Sequence, residues 1–192
     1  MITNQDRSKW FGASDTATIM GNWDTPTFGL WWLTKLGIVQ THYDNIFMRT
    51  GNLLEIPIIR AIEKSEGRKI KLGKRPVYVR RYRLRANYDG LCNTVVEIKT
   101  TKKMFKTVPK GYWQQCQVLM YATGRRKTEL YAYELTDFDY EAPYFPEIDL
   151  SRLKRFEIEY DGDFIHREYL PRLKVLAQAL RRGQFPDIKA VV

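Results

Sequence analysis

The chain has 192 residues, 44% of them apolar and 14% aromatic, with a formal net charge of +10. That length and apolar content suit one domain with a real core and exclude a disordered polyelectrolyte. No apolar run approaches the roughly 20 residues of a membrane span, and the first residues lack the basic-then-apolar layout of a signal peptide. Two isolated cysteines, Cys92 and Cys116, and two histidines, His42 and His166, are too few for a zinc site or a cysteine-held iron–sulfur cluster. Reduced thiols and a cytosolic protein are therefore expected.

The charge is unevenly placed. Residues 67–127 carry 17 Lys and Arg against two acids, Asp89 and Glu97, while the remainder carries 15 basic and 20 acidic residues. A basic middle points to a polyanionic partner, and its two lone acids call for an explanation.

Ser14 precedes a short helical stretch that stops at Gly21, as an N-cap would, and a helix start with a free hydroxyl also suits a phosphate. Residues 27–37 predict a second helix, with Leu30, Trp31, Leu33 and Leu36 as core. Residues 47–67 predict a third, spaced by Leu53, Leu54, Ile58, Ala61 and Ile62. Gly51 and Pro57 predict that it starts late or irregularly. Glu55 falls in its apolar neighbourhood, where a carboxylate must be paired, exposed or on a metal.

Residues 69–72, 77–84 and 94–99 predict strands, the second running into arginines at 80, 81, 83 and 85. Residues 100–111, with Lys102 and Lys103, predict a basic connection broken by Pro109. A helix over 112–124 and strands over 128–135 and 155–160 follow, with an acidic loop over 136–151 between those strands. Residues 162–182 predict a long amphipathic helix kinked at Pro171. The order implies one mixed α/β domain, residues 1–192, with a central mixed sheet flanked by helices.

Within residues 94–99, Val95, Glu97 and Lys99 alternate with Val96 and Ile98, the pattern of a half-buried strand. The Glu97 carboxylate and Lys99 ammonium therefore share a face. Asp89-Gly90 is turn-prone and lies just upstream, so a hairpin or bend brings its carboxylate to the same place. The plain alternative is a surface Glu–Lys pair. Oxygen ligands suit Mg²⁺, which takes one or two carboxylates and keeps several waters. Two such ions, roughly 3.5–4 Å apart, serve the attacking and leaving oxygens in phosphodiester hydrolysis. Asp89 and Glu97 are then the metal carboxylates, the Ile98 carbonyl adds a ligand, and Lys99 orients water and offsets transition-state charge. Gln115 or Gln117 holds a water or a phosphate.

Asp89-Gly90 followed by Glu97-Ile98-Lys99 resembles the core signature of the PD-(D/E)XK nuclease superfamily, with its restriction-endonuclease-like core. More narrowly, the chain resembles the lambda-type exonucleases of phage recombination. Arg7 and Ser14 resemble that branch's phosphate-contacting arginine and serine. Gly51-Asn-Leu-Leu-Glu55 resembles the helix that supplies a further acid to the site. The segment from Tyr112 to Tyr121 resembles its glutamine-bearing helix with Gln115 in register, although Gln117 and Tyr121 also fit the Q-x-x-x-Y motif of RecB-like nucleases. The order of these segments, rather than any one, carries the resemblance.

The resemblance implies a site with Mg²⁺ or Mn²⁺, with Glu55, Asp89, Glu97, Lys99 and Gln115 as catalytic residues and Glu55 as an additional metal ligand. It implies 5′-to-3′ digestion of linear double-stranded DNA, leaving a 3′ single strand for an annealing protein in the bacterial host cytoplasm. It also implies a homo-oligomer, a ring-shaped trimer in some relatives. Lys102 and Lys103 are expected on the DNA. The rival readings are a RecB-like or structure-specific endonuclease, and a non-catalytic DNA-binding module on the same fold.

Overall fold

The structure, a computed structural model, describes residues 8–40, 45–141 and 147–187. It begins with β1 (Phe11–Gly12), a 3-10 turn (Ala13–Asp15), α1 (Thr16–Met20), α2 (Pro26–Leu36) and α3 (Ile46–Glu66). Short strands β2 (Lys71–Leu72), β3 (Val77–Val79), β4 (Leu84–Ala86) and β5 (Gly90–Leu91) lead to the long β6 (Val95–Thr101). Then come α4 (Lys110–Thr123), β7 (Lys127–Glu134), α5 (Asp137–Glu141), β8 (Leu153–Glu159) and α6 (Leu170–Arg182).

The central sheet runs β2-β5-β6-β7-β8, and a smaller one runs β1-β4-β3. Only β6 and β7 are parallel in the central sheet, because α4 carries the chain back between them. The sheet is therefore mixed and flanked by helices, as expected. Val96 and Ile98 face α3 in a cluster with Leu54, Ile58, Ile59 and Ile62. Val95 packs in the cluster that contains Cys116 and Leu119 of α4 and Leu173 of α6. Residues Val95, Val96, Glu97 and Ile98 are all buried. The half-buried strand of the sequence reading is thus covered on both faces, as central strands next to a parallel neighbour are.

Four local expectations change. Asn45 caps α3 by accepting from the Met48 N–H at 2.8 Å, and the helix runs through Pro57 without a late start. An interior proline costs about 3 kcal/mol. Burying four large aliphatic side chains on the sheet, at about 1.5–3 kcal/mol each, outweighs that. Residues 77–84 form no single strand: Arg80–Tyr82 is a 3-10 turn and Arg83 is left-handed (φ 50°), so β3 and β4 fold into a hairpin. In α2 the buried apolar residues are Phe28 and Trp32, whereas Leu30 is 45% exposed. Pro171 lies in the first turn of α6, after a π-helical segment (Phe164–Tyr169), rather than in the interior of one long α-helix. No helix among the described residues is long and apolar enough to cross a membrane.

The approach to β5 is unusually tight. The Gly73 N–H donates to the Asp89 carbonyl at 2.9 Å, and a Cβ on Gly73 would stand 1.7 Å from the Tyr88 carbonyl oxygen. Backbone meets backbone here, so no rotamer change relieves the contact. Gly73→Ala is expected to lower unfolding stability by about 1–3 kcal/mol or more, read from the urea midpoint. An unchanged midpoint would show that this turn is looser than the geometry requires.

Candidate active site

The site exists because β5 is short. β5 pairs with only Val95 and Val96 of β6, so the β6 edge beyond them is open on that side. The Ile98 N–H on this edge still needs an acceptor, and the Asp89 carboxylate supplies one at 2.7 Å. A strand residue's N–H and C=O point to the same edge, so the Ile98 carbonyl lies on the Asp89 side as well. The antiparallel β5–β6 hairpin, with Gly90 opposite Val96, delivers Asp89 there.

Glu97 stands on the next position and is 3% exposed. Its Oε1 accepts from Lys99 Nζ at 2.8 Å and from Gln115 Nε2 of α4 at 2.6 Å. Its Oε2 is buried and makes no hydrogen bond. Lys99 Nζ also lies 5.3 Å from the centre of the Tyr112 ring. Sequence reasoning gave Tyr112 no role. Nothing local signals one, since α4 meets β6 only through the crossover.

The electrostatics follow from crowding acids in a dry place. Burial first, and then the Glu97 charge, pushes the Glu55 carboxyl up to about 7, with Lys99 acting against the shift. Burial, Glu97 and Glu55 together hold Asp89 well above the usual carboxylate range, against the pull of Lys99 and the Ile98 N–H. Burial works to lower the Lys99 pKa, but the carboxylates of Glu97 and Asp89 outweigh it and keep the ammonium charged. Cys116, beneath the site, has its thiol pushed up by burial and then by Glu97, so it stays protonated and unreactive.

A divalent cation fits this donor set. A buried carboxylate oxygen without a partner is costly, and Glu97 Oε2 is such an atom beside two acids that repel it. Among the described residues, no three His, Cys, Asp or Glu side chains are oriented to enclose a metal. Mg²⁺ needs no such cage, since one or two carboxylates and waters suffice. Asp89, Glu97 and the Ile98 carbonyl would hold it, with Glu55 near.

The structure thus brings together Glu55, Asp89, Glu97, Lys99 and Gln115. Gln117 lies elsewhere: it is fully buried, its Nε2 donates to the Glu159 carbonyl at 2.8 Å, and its Oε1 accepts from the Asp161 N–H at 2.7 Å. Two residues along a helix turn through about 200°, so Gln115 and Gln117 cannot serve one site, and the Gln117 amide is buried with both its ends engaged. Tyr121 lies one turn beyond Gln117, edge-on to His166. Ser14 is exposed but sits inside the 3-10 turn; the residue at the α1 N-cap is Asp15, without a side-chain cap bond. Asp15 is instead tied to Lys35 at 2.6 Å. Lys102 and Lys103 are exposed, and Lys102 Nζ rests 4.1 Å above the Phe47 ring. Arg7 lies outside the described residues.

A pH signature follows from Glu55. Its carboxyl titrates near 4.5 when unfolded and about 7 when folded, so the folded state binds more protons between those values. Metal-free stability should therefore be fullest below about pH 4.5 as far as this group contributes, and decline as pH rises to about 7. Glu55→Gln should flatten the dependence of melting temperature on pH over that window relative to the parent. Parallel curves would show that Glu55 is not perturbed.

The protein fold matches an alkaline exonuclease, LHK-Exo, from Laribacter hongkongensis at TM-score 0.71 and 20% identity, covering 92% of this chain and 90% of that one. A complex of LHK-Exo with dAMP matches equally, at TM-score 0.71. A phage related exonuclease from Haemophilus somnus 129PT matches at TM-score 0.61 and 13% identity, covering 91% and 92% of the two chains. No curated protein sequence matches. The sequence pattern of the YqaJ-like viral recombinase domain matches residues 4–126, a span that holds all five clustered side chains. The chain belongs to the family of YqaJ-like viral recombinase domains.

Proposed function

We propose that this chain is a divalent-metal-dependent exonuclease that degrades linear double-stranded DNA from the 5′ end, leaving 3′ single strands for recombination in the host cytoplasm. The observation that carries the proposal is the convergence of Glu55, Asp89, Glu97, Lys99 and Gln115 at one open strand edge, with Glu97 Oε2 lacking a partner. Membership of a viral recombinase family supports it, as does a fold shared with proteins described as exonucleases. The +10 charge suits a polyanionic substrate. The chain acts as a single nuclease domain.

When bound, Mg²⁺ or Mn²⁺, two ions per site in this proposal, supplies charge neutralisation at the phosphate and makes water more acidic. The residues do the rest. Gln115 and Lys99 hold Glu97 through one oxygen, which leaves the other facing the site. Asp89, fixed by the Ile98 N–H through one oxygen, would offer the metal its other oxygen. Lys99 stays charged at neutral pH because two carboxylates support it, so it can orient a water and offset charge on the phosphorane. Glu55, close enough to Glu97 and Lys99 to feel their charges, would add a further carboxylate to the metal site. Ser14, with Arg7, would bind the terminal phosphate.

The test uses end-labelled linear duplex, nicked circle and closed circle, with and without Mg²⁺. Linear duplex should be digested only with metal, and a 5′-phosphorylated end faster than a 5′-hydroxyl end. Cutting of closed circles would replace this reading with an endonuclease, and binding without any cleavage would replace it with a DNA-binding module. Glu97→Ala and Lys99→Ala should each lose about 10²–10³-fold or more in rate with the fold intact. Retained activity in either would remove that residue from the mechanism.

A further inference from the structure

Gly51 stands in the interior of α3, where intrinsic propensity favours alanine. Its helical neighbours show why glycine is there. A Cβ on Gly51 would stand 2.9 Å from Thr100 Oγ1 of β6, closer than side-chain atoms ordinarily approach. Thr100 follows Lys99 directly, and Glu55 lies one helical turn beyond Gly51 on the same face. A tight approach of α3 to β6 thus sits one turn from Glu55. One turn on the other side, Phe47 lies under the Lys102 ammonium at 4.1 Å, a second contact between the same two stretches.

We propose that Gly51 is a positioning residue: its missing side chain lets α3 seat against Thr100, and that seating places Glu55 beside Glu97 and Lys99. The proposal rests on the nuclease reading and deepens it. α3 reaches the site over one face of the sheet, whereas Glu97 and Lys99 project from the other and Asp89 arrives along the edge. Asp89 and Glu97 belong to adjoining segments of one hairpin, which fixes their separation. Glu55 has no such covalent neighbour, so its place depends on how deeply the helix sits. A methyl group at Gly51 pushes α3 away from Thr100 one turn from Glu55 while leaving the hairpin acids where they are. Thr100 carries the clash in its hydroxyl, so removing the hydroxyl group should restore the seat.

The experiment is a double-substitution cycle on the full chain, reading kcat and KM on linear duplex, Mn²⁺ affinity, and the metal-free unfolding midpoint. Gly51→Ala should lower kcat by about tenfold or more, weaken Mn²⁺ binding, and leave KM for DNA and the midpoint close to the parent. In a Thr100→Ala background, adding Gly51→Ala should cost less than about threefold, because the opposing atom is gone. In a Thr100→Val background, where a methyl replaces the hydroxyl, the full loss should persist. Gly51→Ala with parental kcat and Mn²⁺ affinity overturns the inference, as does an equal loss in the Thr100→Ala background. A fall in midpoint that accounts for the lost activity also overturns it, because Gly51 would then serve the fold alone. A parent chain that neither cleaves DNA nor binds Mn²⁺ defeats the nuclease reading, an outcome distinct from these.

Discussion

The structure is organised around a repulsion. Glu55, Asp89 and Glu97 crowd one end of the central strand, and one oxygen of Glu97 is buried without a hydrogen bond. Proteins bury carboxylates in this way only where something offsets the charge. Lys99 offsets part of it through one Glu97 oxygen, and the N–H of Ile98 offsets part through Asp89. What remains is a deficit of positive charge, and a divalent cation is the simplest group that fills it. The strained acids are thus poised for a ligand that lowers all their energies together.

The surrounding fold can be read as the means of enforcing that crowding. A two-residue β5 leaves the β6 edge open. The parallel β6–β7 pairing requires a crossover, and the crossover helix carries Gln115 to Glu97. Two glycines allow backbones to approach where a side chain would hold them apart, one beneath Asp89 and one beside Thr100. The two hydrophobic clusters on opposite faces of the sheet hold α3 and α4 against these strands. Burial of apolar side chains therefore provides the free energy against which the carboxylates are held together.

Much of the site was legible because its central pair is local. Alternation along one strand places Glu97 and Lys99 on one face whatever the rest of the chain does, and Asp89 is near enough in sequence for a short hairpin to return it, although the turn falls at Cys92–Thr94 and Gly90 lies in β5 rather than in a turn. The charge distribution strengthened that reading, since no other acids occupy residues 67–127. Gln115 against Gln117 was not decidable from spacing: it depends on which face of α4 meets the sheet, a tertiary fact. The same holds for Tyr112 beside Lys99 and for Gly51 against Thr100. Among the elements, the long helices α2, α3, α4 and α6 were visible through apolar spacing and the glycines that end them. The β3–β4 hairpin was hidden because it turns through arginines rather than through glycine or asparagine. Pro57 misled because packing against the sheet outweighs the local cost of a proline.

The central claim, that a divalent cation completes these crowded acids, has a direct calorimetric test. Mg²⁺ or Mn²⁺ is titrated into the protein near pH 6 in two buffers of different ionisation enthalpy, so that protons released on binding are counted. Because Glu55 titrates at about 7 and Asp89 above its usual range, binding should release protons to the buffer, and the number should fall as pH is raised above 7. Binding with no proton release near pH 6 would contradict the account, because the carboxylates would then have been ionised, and adequately compensated, before the metal arrived.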